Sequence, residues 1–341
     1  MTNRGGMPRR IIVSRTDRIG DVVLSLPLVG ALRQAHPDAE LCFLGRRHVR
    51  DVVAACAHVD RFVEWPDPMP ASGAARAAIL ADLDADAIVH VFPRPEIAHA
   101  ARRARIARRI GTSRRWYHWL TCTERVRISR KRSGLHEAQL NLKIAAPLLD
   151  RADHELREVE TLYGLARTAP LPARWSALLD ARRFNLVVSP LTGGTSPAWP
   201  LARWRDLIFS LNADAVRVLI VGSAAEGAAL REWMATLPPH AIDATGQTLG
   251  ELLSFIRAAD GFIAASTGPV HAAAALGART LGLYPAVSTG VPARWRPVGT
   301  RAEIVTVPEG ASGAGAHRHD ISGIAAGDVR QVVERWERAR G

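Results

Sequence analysis

Lysine, cysteine and long apolar runs are all scarce in this sequence. Lys131 and Lys143 are its only lysines, so arginine carries nearly all of the positive charge. The three cysteines, Cys42, Cys56 and Cys122, are odd in number and widely spaced, which argues against a disulfide framework or a zinc site and indicates a reducing compartment. No apolar stretch reaches the ~20 residues that span a bilayer. No apolar segment precedes the first strand, so we also expect no secretory signal.

Length and composition fit a globular protein with two domains. At 341 residues the chain exceeds one typical domain, and its hydrophobic content of 48% is enough for ordinary buried cores. We expect a cytoplasmic protein, and peripheral contact with the inner face of the plasma membrane is left open.

The net charge of +12 is concentrated in one segment. Residues 100–132 contain twelve basic residues and a single acid, Glu124, with Trp116, Tyr117 and Trp119 interleaved. A general preference for arginine would spread the charge along the chain, so the cluster indicates an anionic partner. A solvated basic face is the alternative.

Short apolar runs alternate with helical segments, which predicts parallel sheets covered by helices on both faces. The predicted strands are residues 10–14, 40–44, 87–92, 185–189, 216–221, 261–264 and 280–284. One helix is predicted over residues 21–34. The predicted fold class is α/β, with Rossmann-like domains at 1–170 and 171–325 whose sheets face an interdomain cleft. A C-terminal helix is predicted at 326–341 and a mobile glycine-rich loop at 308–316.

One turn carries the strongest local signal for an anion site. Ser266, Thr267, Gly268 and Pro269 follow an apolar strand and open a helix. Free N–H groups, two hydroxyls and the positive end of the helix suit a phosphate group. A plain helix cap is the alternative. His271, in the first helical turn, is a candidate phosphate ligand or a structural histidine.

Two further strand-to-helix turns favour a nucleotide. Thr192, Gly193 and Ser196 follow the strand at 185–189, at the carboxyl edge where open α/β sheets bind ligands. Gly222 and Glu226 follow the next strand, and Glu226 either holds a ribose diol or favours the helix N-terminus. A flexible loop is the alternative for the first turn.

Asp21 is the candidate catalytic residue of the first domain. It follows the loop after the first strand and opens a helix, facing the expected cleft, where it could accept a proton from an attacking hydroxyl. We expect the helix dipole to keep it ionised at neutral pH and to leave it only a modest base. A purely electrostatic preference for the helix start is the alternative.

Two other protein classes share part of this pattern. A nucleic-acid-binding protein would explain the basic composition, although no binding module is recognisable. A dinucleotide oxidoreductase would share the Rossmann halves, but no G-x-G-x-x-G follows the first strand, and the nearest match, Gly313-x-Gly315, lies in the late loop.

With these motifs placed, the sequence resembles glycosyltransferase family 9, the heptosyltransferases that build lipopolysaccharide core. The carrying segments are residues 18–27, 136–142, 199–204, 246–252 and 266–277. Their order and spacing agree from about residue 10 to 290, which covers most of the chain.

The resemblance implies a GT-B fold and an inverting, metal-independent transfer. The implied donor is a nucleotide-diphosphate sugar such as ADP-heptose, which is a substrate rather than a cofactor. The implied acceptor is an anionic glycolipid such as lipopolysaccharide inner core. Asp21 matches the catalytic base and Glu226 the ribose-binding acid, and Thr267, Gly268 and His271 match the diphosphate turn. The predicted donor-binding residues are Thr192, Gly193, Ser196, Gly222, Glu226, Gln247, Ser266, Thr267, Gly268 and His271. The predicted acceptor-binding residues are Arg18, Arg114, Arg115 and His136.

Two positions depart from the family pattern. Many members have aspartate where this chain has Ser266, and many have lysine where it has Pro197. The phosphate charge would then be met by Arg203, Arg294 or backbone amides. A catalytically inactive member is the alternative.

Overall fold

The computed structural model describes residues 7–130, 133–194, 196–310 and 319–340. These residues divide into two compact units, Met1–Arg167 and Thr168–Gly341. Most of the predicted loop at 308–316 lies outside the described residues, as do Lys131 and Arg132 of the basic segment. Within the described ranges, no helix combines the length and apolar character needed to cross a bilayer.

The first unit is built on one parallel sheet. Its strands are β1 (Arg10–Ser14), β2 (Glu40–Gly45), β3 (Arg61–Glu64), β4 (Ala87–His90), β5 (Arg108–Thr112) and β6 (Glu124–Val126). Its helices are α1 (Ile19–Val23), α2 (Leu26–Ala35), α3 (Arg50–Ala54), α4 (Gly73–Ala81), α5 (Pro95–Arg103), α6 (Trp116–Thr121), α7 (Glu137–Ile144) and α8 (Leu156–Val159). Short 3-10 turns follow at Arg47–Val49, Ala146–Leu148 and Glu160–Leu162.

The second unit repeats the plan. Its strands are β7 (Phe184–Ser189), β8 (Val216–Ile220), β9 (Ala241–Asp243), β10 (Gly261–Ala265), β11 (Arg279–Tyr284) and β12 (Ala302–Thr306). Its helices are α9 (Ala173–Ser176), α10 (Leu201–Ser210), α11 (Ala224–Met234), α12 (Leu249–Ala258), α13 (Gly268–Ala275), α14 (Val291–Trp295) and α15 (Ala326–Arg338), with a 3-10 turn at Val287–Thr289.

Both sheets have the strand order of a Rossmann fold. The orders are β3-β2-β1-β4-β5-β6 and β12-β11-β10-β7-β8-β9, and all strand pairs are parallel. In each sheet the strand order reverses between the first and fourth strands, which are β1 and β4 or β7 and β10: the three strands before this point and the three after it are added in opposite directions across the sheet. Ligands of open α/β sheets bind beyond the carboxyl ends of strands at such a switch point. The predicted α/β fold is confirmed. The topology makes the turns after β1, β7 and β10 the candidate ligand sites.

Packing on both sides of the second sheet explains the near-continuous apolar strands. Leu186 and Val188 of β7 point into one buried cluster, and Val187 points into the opposite one. The first cluster also contains Val333 and Trp336 of α15, so the C-terminal helix completes the core of the second unit. A strand buried on both faces needs apolar residues at every position.

The predicted single helix over residues 21–34 is wrong. The segment forms α1 and α2, with a break at Leu24 and Ser25. Pro27 lies in the first turn of α2, where its missing N–H costs no helical hydrogen bond, whereas the interior of one long helix would be destabilised by proline. The break lets the Ser25 hydroxyl donate to the carbonyl oxygen of Asp21 at 2.8 Å.

Candidate active site

Asp21 lies in α1, just beyond the end of β1, and a buried arginine holds its side chain. Arg15 directly follows β1 and is 2% exposed. One of its terminal nitrogens, Nη2, donates to Asp21 Oδ1 at 2.6 Å, and its Nε donates to Asp17 Oδ1 at 2.8 Å. The Asp21 side chain is 22% exposed, so it remains open to a ligand. Arg15 therefore orients a reachable carboxylate at the switch point of the first sheet.

Burial makes Asp21 a stronger base than the helix-dipole argument predicted. The pKa of its carboxyl group is raised to about 6, chiefly by loss of solvent; the Arg15 guanidinium opposes this rise, and the negative charges of Asp17 and Glu137 contribute to it. The five-residue helix α1 provides only a small dipole. Asp21 is still mostly ionised at neutral pH, but a pKa near the working pH favours proton acceptance in a transition state.

Glu137 and Asn141 of α7 complete this network. The nearly fully buried Glu137 carboxylate lies 3.7 Å from Arg15 Nη1 and accepts a hydrogen bond from Arg130 Nε at 2.9 Å. Asn141 Oδ1 accepts from Arg15 Nη1 at 3.1 Å, and its amide donates to the carbonyl oxygen of Leu24 at 2.9 Å. In the sequence these two residues stand out only as part of the family segment 136–142. A carboxylate and an amide four residues apart, on one face of a predicted helix, were the available signal.

Two predicted acceptor residues have different surroundings. Arg18 is exposed at the N-cap position of α1, next to the Asp21 network. His136 is 2% exposed and caps α7, since its Nδ1 accepts a hydrogen bond from the Ala138 amide at 3.2 Å. This capping hydrogen bond gives His136 a structural role at the start of α7. Its assignment to the acceptor stays a prediction.

The turn after β10 presents an unpartnered hydroxyl at a helix start. Thr267 is the N-cap of α13 but makes no capping bond with its side chain, and its buried Oγ1 has no hydrogen-bond partner among the described residues. A buried hydroxyl without a partner costs about 1–3 kcal/mol. Gly268 and Pro269 follow in the first turn of α13. Val270 and His271 come next, and both side chains are buried. This arrangement suits an anion that would pair with the Thr267 hydroxyl and the free amides.

The loop after β7 supplies a second unpartnered hydroxyl at the same switch point. The Ser196 Oγ atom is buried and has no hydrogen-bond partner among the residues that the structure describes, while Thr192 donates its hydroxyl to the Ser196 carbonyl oxygen at 2.7 Å. Gly193 and Gly194 both have positive φ, at 56° and 71°, a conformation that residues with a Cβ rarely adopt. The glycines therefore allow a tight loop whose backbone can approach a ligand.

The third predicted turn lies after β8, next to the turn after β9. Glu226 Oε2 accepts hydrogen bonds from the amide and the hydroxyl of Ser223, so this carboxylate caps α11. Gly222 accepts from the Gly246 amide at 2.9 Å, which joins the two turns. Gln247 follows, and neither its Nε2 nor its Oε1, both buried, has a partner among the described residues. Within the described part of the chain, the predicted donor residues thus include buried polar atoms that lack a partner after β7, β9 and β10.

The positions that depart from the family pattern have other contacts. Ser266 hydrogen-bonds to Tyr284, a fully buried phenol that donates to the Trp295 carbonyl oxygen at 2.6 Å. Arg203 is exposed on α10, and Arg294 stacks over the Trp295 ring at 4.8 Å.

The basic segment separates into structural and surface arginines. Arg108 pairs with Glu124 at 2.8 Å, and Arg109 is bonded to the Thr121 carbonyl oxygen at 2.6 Å, where burial lowers its pKa. Both belong to β5, a strand that is hard to recognise in the sequence because its first two residues are charged. Arg114 and Arg115 are exposed, Arg114 Nε donates to the Ile128 carbonyl oxygen at 2.8 Å, and the assignment of both to the acceptor stays a prediction. Within the described residues, no group of three or more His, Cys, Asp or Glu side chains could hold a metal ion.

Three solved structures of similar fold come from glycosyltransferases. Glycosyltransferase family 9 from Veillonella parvula is 16% identical, with a TM-score of 0.77 over 97% of each chain. E. coli ADP-heptose lipopolysaccharide heptosyltransferase II is 17% identical, with a TM-score of 0.76 over 97% of this chain and 99% of that one. E. coli heptosyltransferase WaaC with ADP is 18% identical, with a TM-score of 0.73 over 96% of this chain and 99% of that one.

The fold is therefore GT-B. The family model described as glycosyltransferase family 9 (heptosyltransferase) matches residues 96–321, more than half of the sequence. The chain belongs to this family and is a glycosyltransferase. Membership sets aside the oxidoreductase interpretation and confirms the resemblance inferred from the motifs.

Proposed function

We propose that the protein transfers a sugar, and specifically a heptose, from an ADP-linked donor to a hydroxyl of an anionic glycolipid such as lipopolysaccharide inner core. The observation that carries the proposal is the Asp21 carboxylate, which Arg15 orients and burial makes more basic. The choice of donor and acceptor is supported by the E. coli enzymes of the same fold, one named for ADP-heptose and lipopolysaccharide and one solved with ADP.

In the proposed reaction the acceptor oxygen attacks the anomeric carbon on the face opposite the diphosphate. The new glycosidic bond forms as the bond to the phosphate oxygen breaks, so one displacement inverts the anomeric configuration. Asp21 accepts the hydroxyl proton during the attack, since an alcohol is far too weak an acid to transfer it beforehand. The Thr267 hydroxyl and the first amides of α13 stabilise the charge on the departing diphosphate.

We propose a cytoplasmic location for this reaction. The three cysteines are all free and buried, which is compatible with a reducing compartment.

Nucleotide selectivity provides the direct test of the donor. ADP and ADP-heptose should raise the melting temperature in the presence of saturating EDTA, because backbone amides and hydroxyls rather than a metal are proposed to bind the diphosphate. A ligand at 100 times its Kd adds about 2.7 kcal/mol of stability. Transfer to a heptose-deficient lipopolysaccharide acceptor should also survive EDTA. Stabilisation by UDP or GDP sugars but not by ADP-heptose, or strict magnesium dependence of turnover, would contradict the proposal.

The pH dependence tests the raised pKa of Asp21. We expect kcat to rise with pH through an acid limb near pH 6, as the carboxyl group loses its proton. Glu137→Gln removes a negative charge that raises the Asp21 pKa, so the limb should move to lower pH. Glu64→Gln, at an exposed pair with Arg50, is the matched control and should leave the limb in place. An acid limb at the same pH in Glu137→Gln as in the parent would show that Asp21 is not the titrating group.

A further inference from the structure

Helix α6 of the first unit has three large apolar side chains on the outside. Trp116, Trp119 and Leu120, at positions i, i+3 and i+4, share one helical face and are 73%, 60% and 58% exposed. The opposite face buries Tyr117 together with the polar His118 and Thr121. The larger apolar stripe of α6 thus faces outward, whereas that of an ordinary surface helix faces the core.

The contacts beneath α6 prevent it from rolling to bury this face. The His118 ring hydrogen-bonds through Nδ1 to the Thr112 carbonyl oxygen of β5 at 3.0 Å. A Cβ added to Gly111 would lie 2.5 Å from the same ring, so the helix is seated closely on the strand. The Trp119 indole donates to the Ser113 carbonyl oxygen at 3.0 Å, which holds that ring at the surface. The outward apolar face is thus built into the packing.

Four arginines border the face, and we call them the α6 arginines: Arg102, Arg114, Arg115 and Arg125. Arg102 donates to the Leu120 carbonyl oxygen at 2.8 Å, and the Arg125 guanidinium lies 4.5 Å from the centroid of the Trp119 ring. Arg115 is the N-cap residue of α6, and Arg114 precedes it. None of the four forms an ion pair with a carboxylate in the part of the chain that the structure describes, unlike Arg108 and Arg130.

We propose that α6 and the α6 arginines form a docking surface for a bilayer of anionic phospholipid. Exposed tryptophans and a leucine suit the boundary between headgroups and acyl chains, where an indole keeps its polar edge outside the apolar layer. Uncompensated arginines around them match the negative surface charge of anionic lipids. A patch that served only to bind a soluble anion would have no need of three exposed apolar side chains. The proposal is independent of the donor and of the reaction.

Vesicle co-sedimentation of the full chain tests the surface. The protein should bind vesicles of equal parts phosphatidylcholine and phosphatidylglycerol, should bind pure phosphatidylcholine far less, and should lose affinity as salt rises. Arg114→Gln/Arg115→Gln should weaken binding by about 25-fold, since each arginine near such a surface contributes about fivefold. Trp116→Ser/Leu120→Ser, which leaves the charge unchanged, should weaken it by at least about tenfold.

Matched variants in the second unit separate local from general effects. Arg205→Gln/Arg231→Gln removes the same charge from exposed sites on α10 and α11, and Phe209→Ser removes a side chain that is 58% exposed on α10. Both should bind vesicles as the parent does. An equal loss of vesicle binding in these controls would attribute the effect to net charge or to nonspecific hydrophobic adsorption and would overturn the proposal. Tighter binding to duplex DNA than to anionic vesicles, unaffected by Trp116→Ser/Leu120→Ser, would identify a nucleic-acid surface instead.

Discussion

Asp21→Asn is expected to lower kcat by about 10² to 10⁴, the range attributed to a positioned general base. Asparagine keeps the size of the side chain and an oxygen that can accept the hydrogen bond from Arg15, so the geometry of the network should persist. It cannot accept the proton of the acceptor hydroxyl. Nucleotide affinity should be nearly unchanged, because the predicted donor residues belong to the second unit. Turnover with saturating donor and acceptor, alongside donor titrations, provides the measurement.

The stability of Asp21→Asn separates catalysis from helix capping. The folded-state pKa is about 6, above the value of 3.8 for an unperturbed group, so the folded protein binds the proton more tightly between these values. Stability from this group is therefore present below pH 3.8, falls as pH rises through the window, and is lost above pH 6. A neutral asparagine does not ionise, so the Asp21→Asn variant does not lose stability as the pH rises. The melting temperature of this variant at pH 7 should equal or exceed that of the parent. Unfolding of the variant would favour a capping role, and retained turnover would refute the base.

Thr267→Val is expected to weaken nucleotide-sugar binding by about 10- to 150-fold, the loss of one hydrogen bond to a charged group. The change is nearly isosteric and removes a buried hydroxyl that has no partner among the described residues, so the melting temperature of the free protein should hold or rise. Gly268→Val places a branched side chain in the first turn of α13 and should abolish binding by blocking close approach of the diphosphate. Calorimetric titration with ADP measures both losses.

Thr280→Val is the matched control for the hydroxyl. Its Oγ1 is equally buried in the second unit but donates to the Ala278 carbonyl oxygen at 3.0 Å. This variant should lose stability and keep its affinity for ADP, the opposite of Thr267→Val. Equal ADP affinity in the parent and in Thr267→Val would remove the hydroxyl from the donor site.

Strands with continuous apolar runs were predictable, and strands with charged residues were not. The runs at β1, β7 and β10 are long enough to indicate buried parallel strands, and the turns that follow them stay predicted ligand sites. β5 begins with Arg108 and Arg109 and looks in the sequence like part of a basic segment, because its alternation is hidden until Glu124 and the Thr121 carbonyl oxygen are seen to compensate the charges. β3 and β6 are short edge strands whose half-exposed residues give little periodic signal.

By itself the sequence determined the α/β class, the two Rossmann-like halves, the family and the turns where ligands are expected, because each depends on residues adjacent in the chain. Only the tertiary structure decided the burial of Asp21 and the distant residues that hold Arg15 against it. The hydrogen bond between Arg15 and Asn141 joins residues 126 positions apart, and the Asp21 pKa follows from burial that no local pattern encodes. The same holds for α6, whose apolar face could be assigned to the outside only once Gly111 and His118 had fixed which side meets the sheet.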